Sequence, residues 1–268
     1  YMPDMDELSN PIDKFASQVY SSDQQLIGTW NADNNNRVAI DYNGLSPHLV
    51  HALVATEDER FYEHSGVDFI ALGRAVVKRG VMGQASAGGG STITQQLAKQ
   101  LFSEKAHSTV ERLLQKPIEW IIAVKLERYF TKEEILAMYF NYFDFLHNAV
   151  GIKRAANVYF NKEPRKLTVT ESAMLVGLCK NPSMFNPLRH PERCLQRRNV
   201  VLMQMVKSGY VTKDEYKELS QRPLGLHFTR SKPVSGAGDY FQAFLRQYMM
   251  AKKPERENYQ SWQNRQFV

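Results

Sequence analysis

Ser46-Pro47-His48-Leu49-Val50-His51-Ala52-Leu53-Val54-Ala55-Thr56-Glu57-Asp58-Glu59-Arg60-Phe61-Tyr62-Glu63-His64-Ser65-Gly66 is the stretch that decides the fold. Ser46 is a helix cap residue and Pro47 suits a first helical turn, so a helix is expected to start here. Leu49, Val50, Leu53 and Val54 mark one apolar face at helical spacing, and continuing that stripe by four reaches Glu57 and then Phe61. A carboxylate on the buried edge of an amphipathic helix, close to its end, is placed to work as a general base. The same pattern also fits a local ion-pair cluster in which Glu57 meets Arg60 or Arg74. Residues 58–66 then crowd charges and aromatics together, an unusual way to end a purely structural helix.

Outward from this stretch the helical period persists. Ser or Thr followed three residues later by Glu or Gln recurs at Thr92/Gln95, Ser108/Glu111, Thr131/Glu134, Thr168/Glu171 and Thr212/Glu215, the signature of helix starts. Gly209 suits a helix stop after residues 191–208. The pattern predicts a mainly α fold of roughly eight or nine helices over residues 46–220. Residues 1–45 read as an extended segment, with a short hairpin over residues 18–30 and a polar turn at Asn34-Asn35-Asn36. The glycine-rich stretch 80–90 reads as a mobile loop. Residues 221–268 read as a linker carrying one aromatic helix near 239–252.

Two further segments carry chemistry. In the helix expected over 108–129, Val110, Leu113, Leu114, Ile118, Ile121, Ile122 and Leu126 form an apolar face. Arg112, Lys116, Glu119 and Ala123 follow at steps of three or four on the other side. Pro117 removes a backbone hydrogen bond within that segment. The pattern fits either an exposed ion-pair ladder or a carboxylate held beside cations for function. Residues 88–99, Gly88-Gly89-Gly90-Ser91-Thr92-Ile93-Thr94-Gln95-Gln96-Leu97-Ala98-Lys99, run from glycines into a helix N-terminus, which favours close approach of an anion. No Gly-Lys-Ser/Thr follows, so this is not a nucleotide P-loop.

Composition narrows the class further. With 43% hydrophobic and 11% aromatic residues in 268, the chain can form a core and is not a disordered one. A net charge of +6 suits a phosphorylated substrate or an anionic membrane surface. The basic residues are dispersed and no recognition motif appears, which argues against nucleic acid. Cys179 and Cys194 fit neither a disulfide framework nor a zinc spacing and read as buried thiols. No apolar run approaches the ~18 residues of a membrane span. Beginning at Tyr1 and ending at Val268 without a helix stop, the chain reads as part of something longer.

In order, these segments resemble glycosyltransferase family 51, the peptidoglycan polymerases found alone or as the first domain of class A penicillin-binding proteins. Residues 57–66 resemble the first motif of that family, 89–97 the second and Lys116-Pro117-Ile118-Glu119 the third. Ile135-Leu136 through Tyr139-Phe140-Asn141 resemble the fourth. Leu167-Thr168, residues 171–178, Asn181-Pro182-Ser183 and Asn186-Pro187 resemble the fifth. Two departures stand out: Gln115 replaces an arginine before Lys116, and Ala137 replaces a glutamate in the fourth motif, whose following glycine is also missing.

The resemblance implies a lysozyme-like helical fold with a membrane-facing lobe and lipid II as substrate, joined by inverting β-1,4 transfer to a growing glycan strand. It implies Glu57 as the base and Glu119 as the group assisting departure of the lipid pyrophosphate, directly or through a divalent metal such as Mg or Mn. No organic cofactor is implied. Asp58, Phe61, His64, Arg74, Gly90, Ser91, Thr92, Gln95, Gln96, Lys99 and Lys116 become the expected substrate-binding residues. The implied setting is the outer face of a bacterial cytoplasmic membrane, beside cell-wall synthesis machinery and a transpeptidase domain, with an anchoring helix upstream of this stretch. A glycan-cleaving lysozyme-like enzyme and an inactive lipid II-binding scaffold are the competing expectations.

Overall fold

A computed structural model of the chain describes residues 17–20, 22–23, 26–30, 38–80, 90–102 and 109–229. Two strands come first, β1 (Ser17–Tyr20) and β2 (Leu26–Trp30), paired antiparallel from Ser17 opposite Trp30 to Tyr20 opposite Leu26, with an irregularity between Val19 and Tyr20. This is the hairpin expected over 18–30. Nine α-helices follow among the described residues: α1 (Pro47–Glu57), α2 (Phe69–Gly80), α3 (Ile93–Phe102), α4 (Thr109–Tyr129), α5 (Lys132–Tyr142), α6 (Ile152–Phe160), α7 (Val169–Lys180), α8 (Pro191–Lys207) and α9 (Lys213–Gln221). The chain is mainly α. Asn34–Asn36, residues 81–89 of the glycine-rich stretch, Ser108 of the Ser108/Glu111 box and the helix near 239–252 lie outside the described residues.

The helix starts are made as the sequence predicts. Ser46 accepts from the His48 amide, with Pro47 in the first turn of α1. Complete capping boxes open α5 at Thr131/Glu134, α7 at Thr168/Glu171 and α9 at Thr212/Glu215. At α3, the Gln95 amide donates to Thr92 Oγ1 at 3.1 Å, and Gln95 Oε1 accepts from the Thr92 amide at 3.4 Å. The stop at Gly209 is a Schellman turn: Tyr210 N–H bonds the Met205 carbonyl, Gly209 N–H bonds that of Val206, and Gly209 has φ +77°.

The helices pack as two groups over one hydrophobic core. α1 lies against α7 and α8, and α3 lies against α4 and α5. The C-terminal end of α1 stands where the groups meet. Asn141 at the end of α5 ties the preceding segment in, donating to the Ile40 carbonyl at 2.8 Å and accepting from its amide at 3.1 Å. After α5 the chain turns back through Leu146, His147 and Asn148, all in the left-handed region. That is the site where the expected glycine is missing, and non-glycine residues hold the turn at some backbone cost. Ala137, the other departure in this motif, is buried.

One expected face is corrected. α4 continues through Pro117, but Ile118 and Ile121 are exposed, whereas Glu119, Ile122, Ala123 and Leu126 form the buried stripe. The reason is steric. Gly66, at φ +95°, lies so close to α4 that a Cβ there would stand 2.7–2.8 Å from backbone atoms of Ala123 and Val124. Only the small-residue side of α4 admits that approach, so the larger isoleucines turn outward. Gly66→Ala is therefore expected to destabilise the protein by about 3 kcal/mol through backbone strain and overpacking, read as a lowered urea midpoint. An unchanged midpoint would mean that this contact is not rigid.

Candidate active site

Residues 58–66 form a closed polar knot beyond α1. Asp58 is buried, and its carboxylate accepts from the Ile93 amide at 3.0 Å, at the first turn of α3. The His64 Nε2 lies 3.0–3.1 Å from both Asp58 oxygens, while His64 Nδ1 accepts from the Gly66 amide at 3.2 Å. Those partners select the tautomer with the proton on Nε2. Lys132 donates to the His64 carbonyl at 2.7 Å, pairs with Glu127 at 2.7 Å and sits 4.3 Å over the Phe61 ring. Thr94 closes the knot by donating to Glu127 at 2.6 Å.

Several expected binding residues therefore face inward. Asp58, Phe61 and His64 are enclosed and engaged with the protein, so they hold the site's shape rather than line it. Thr92 and Gln95 are buried in the α3 cap, with Thr92 Oγ1 donating to the Gly66 carbonyl at 2.6 Å. Ser91 donates to Gln95 Oε1 at 3.2 Å, and Gly90 precedes it, partly buried. The α3 N-terminus, expected to attract an external anion, is served by Asp58 itself. Lys99 and Arg74 are exposed.

Glu57 closes α1 with its side chain 18% exposed. Gln96 Nε2 donates to its Oε2 at 3.1 Å, and Arg197 of α8 reaches its Oε1 at 3.4 Å. The cation is thus neither Arg60, which pairs with Glu63 and Asp68, nor Arg74. Burial lowers the Arg197 pKa and Glu57 opposes that shift. Tyr139 of α5 donates to Gln96 Oε1 at 3.1 Å. A polar line thus crosses four helices: Tyr139 on α5, Gln96 on α3, Glu57 on α1 and Arg197 on α8.

Glu119 is the second carboxylate, buried on α4 with Lys116 Nζ 2.5 Å away. The Lys116 side chain is 39% exposed and that of Glu119 is buried, so the pair is a buried anion under a partly exposed cation, not an exposed ladder. Glu119 lies one turn before Ala123, the residue on which Gly66 rests. Loop 58–66 therefore spans from the Glu57 end of α1 to the Glu119 region of α4. Among the described residues no three His, Cys, Asp or Glu side chains form a metal-binding group.

Residues 23–206 match the transglycosylase family. The chain belongs to that family. It is 39% identical over 255 residues to penicillin-binding protein 1A of Aquifex aeolicus (strain VF5), covering 95% of this chain and 34% of that protein. It is 36% identical over 248 residues to penicillin-binding protein 1A of Escherichia coli (strain K12), covering 92% and 28%. Against penicillin-binding protein 1F of Bacillus subtilis (strain 168) it is 38% identical over 212 residues, covering 79% and 29%. The chain spans about a third of the length of these relatives.

Arg197 and Tyr139 are the site residues that sequence reasoning missed. A signal existed for the α8 arginines: Cys194, Val201, Leu202 and Met205 form its buried stripe, and Arg198 falls on it while Arg197 borders it. A basic residue on an apolar stripe needs an acceptor. Arg198 finds the carbonyls of Leu219 and Ser220 in the last turn of α9 and of Pro223 just beyond it; Arg197 finds Glu57. A shallow cavity of about 590 Å³ lined by Phe160, Asn161, Lys162, His227, Phe228 and Thr229 shares no residue with this site. Asp58→Ala removes the acceptor of both Ile93 N–H and His64, and is expected to cost about 3 kcal/mol. Thermal unfolding checks this, and a cost under about 1 kcal/mol would show that the knot relaxes around the loss.

Proposed function

We propose that this transglycosylase-family chain polymerises lipid II into β-1,4-linked glycan, releasing undecaprenyl pyrophosphate. The observation that carries the reading is Glu57: a carboxylate fixed through both oxygens at the junction of two helix groups, yet still open to solvent on one side. A general base needs that combination of fixed direction and access.

The acceptor sugar hydroxyl approaches Glu57, which takes its proton as the oxygen attacks the donor anomeric carbon. The new glycosidic bond forms as the bond from that carbon to the pyrophosphate oxygen breaks, with inversion. Negative charge grows on the departing pyrophosphate, where Lys116 supplies positive charge. Glu119 holds the Lys116 ammonium in place, and the exposed Lys99 and Arg74 add to the cationic surface. Gln96 stays engaged with Glu57.

The lipid end of such a substrate requires an apolar surface near the site. Phe69 and Ile70 at the start of α2, Val77 further along it, and Ile118 and Ile121 on α4 are all exposed large apolar side chains. Exposed apolar groups of this kind are a basis for contact with a bilayer. No described helix is long and apolar enough to cross one. In this role the domain sits at the outer face of the cytoplasmic membrane, as the polymerising part of a larger cell-wall synthase that also carries a transpeptidase domain.

Gel-resolved polymerisation of labelled lipid II tests this. The parent is expected to give polymer, Glu57→Gln to lose at least about a hundredfold in rate, and Glu119→Gln to lose a comparable factor by freeing Lys116. Full activity in folded Glu57→Gln would remove it as the base. Shortening of finished peptidoglycan instead of polymer growth would replace the transferase with a glycan-cleaving enzyme.

A further inference from the structure

Tyr139 is wholly buried on α5 among aromatic rings, with Phe140 at 5.7 Å and Phe143 at 6.1 Å between centroids. Phe143 in turn packs on Phe145 at 4.9 Å. A phenylalanine would fill this space equally well, and a buried hydroxyl costs stability unless it is paired. The hydroxyl therefore needs an account of its own. It donates to Gln96 Oε1 at 3.1 Å, and the buried Cys179 thiol is a second hydrogen-bonding neighbour. Burial holds the phenol pKa well above its ordinary range, so the group remains a proton donor.

The consequence falls on Gln96. A side-chain amide has a donor edge and an acceptor edge, and the two are interchangeable unless a neighbour selects one. Glu57, an acceptor only, takes the NH2 edge at 3.1 Å, and the Tyr139 proton donated to Oε1 anchors the opposite edge. The reversed amide would set a carbonyl oxygen against the carboxylate, which accepts only. Arg197 holds only the other Glu57 oxygen.

We propose that Tyr139 is a positioning residue, whose hydroxyl anchors the Gln96 amide from behind and so holds its NH2 edge in place against Glu57. The structural part stands on hydrogen-bond geometry alone; its consequence for turnover rests on Glu57 being the base. Gln96 then acts by aiming the base.

Two readouts test this. In the full chain with 15N-labelled glutamine, the Gln96 side-chain amide is identified by its loss in Gln96→Ala. The proton given to Glu57 is expected to exchange slowly in the parent and to lose that protection in Glu57→Gln. Tyr139→Phe keeps the ring and removes only the hydroxyl, and it is expected to release the same proton. Unchanged shift and exchange in folded Tyr139→Phe would overturn the proposal, whether or not the chain polymerises lipid II.

In the polymerisation assay, Tyr139→Phe is expected to lower kcat about tenfold, the size of one lost hydrogen bond to a charged group. KM should stay within about twofold, because no substrate contact is removed. Adding Tyr139→Phe to Gln96→Leu should cost nothing more, since the hydroxyl acts through the amide. That double variant replaces both polar partners together, so it also serves if Tyr139→Phe alone does not fold. Additive losses would overturn the proposal. No polymer from the parent would instead remove the lipid II reading and leave the amide measurement to decide.

Discussion

Asp58 is the group on which the rest of the arrangement depends. A buried carboxylate is expensive unless its oxygens are occupied, and here they take the first-turn amide of α3 and the Nε2 proton of His64. The bond to Ile93 crosses 35 positions and locks the exit of α1 to the entry of α3. The bond to His64 folds the intervening chain into a loop that brings Gly66 onto α4. A single anion thereby sets the relation among three helices, and the carboxylate one residue earlier inherits its position from that lock.

Glu57 obeys the opposite requirement. Asp58 is sealed because its work is structural, whereas Glu57 keeps one side open while its oxygens are held by groups from distant parts of the chain. Those groups differ in kind. Arg197 brings a charge whose own burial lowers its pKa, so the pair is a compromise between attraction and desolvation. Gln96 brings a neutral donor with direction but no charge, and direction must come from elsewhere. Tyr139 supplies it from within the aromatic core, which makes the packing of α5 part of the chemistry at α1.

The helix caps and the buried stripe of α1 were legible because each depends on residues within a few positions of one another. Thr92/Gln95, Thr131/Glu134, Thr168/Glu171 and Thr212/Glu215 state their bonds in the sequence itself. Glu57 was legible as an anomaly, a charge on an apolar stripe. Its partner was not: the nearby Arg60 and Arg74 fitted the spacing, while Arg197 stands 140 positions away. The facing of α4 also failed to show, because hydrophobic count points Ile118 and Ile121 inward. Close approach of a glycine, which periodicity does not weigh, turned them out.

By itself, then, the sequence determined the helical class, the helix starts, the hairpin at the beginning and the two carboxylates around which function is argued. Local hydrogen bonding and apolar periodicity act over one or two turns, and those distances are written in order along the chain. Tertiary structure alone decided which groups touch those carboxylates and which of the expected binding residues face inward. Asp58, Phe61 and His64, which the family resemblance implied as substrate-binding residues, lie enclosed in the knot behind Glu57. The reason is that burial and ion pairing are properties of three-dimensional neighbours, and α3, α5 and α8 meet at Glu57 only once the core has closed.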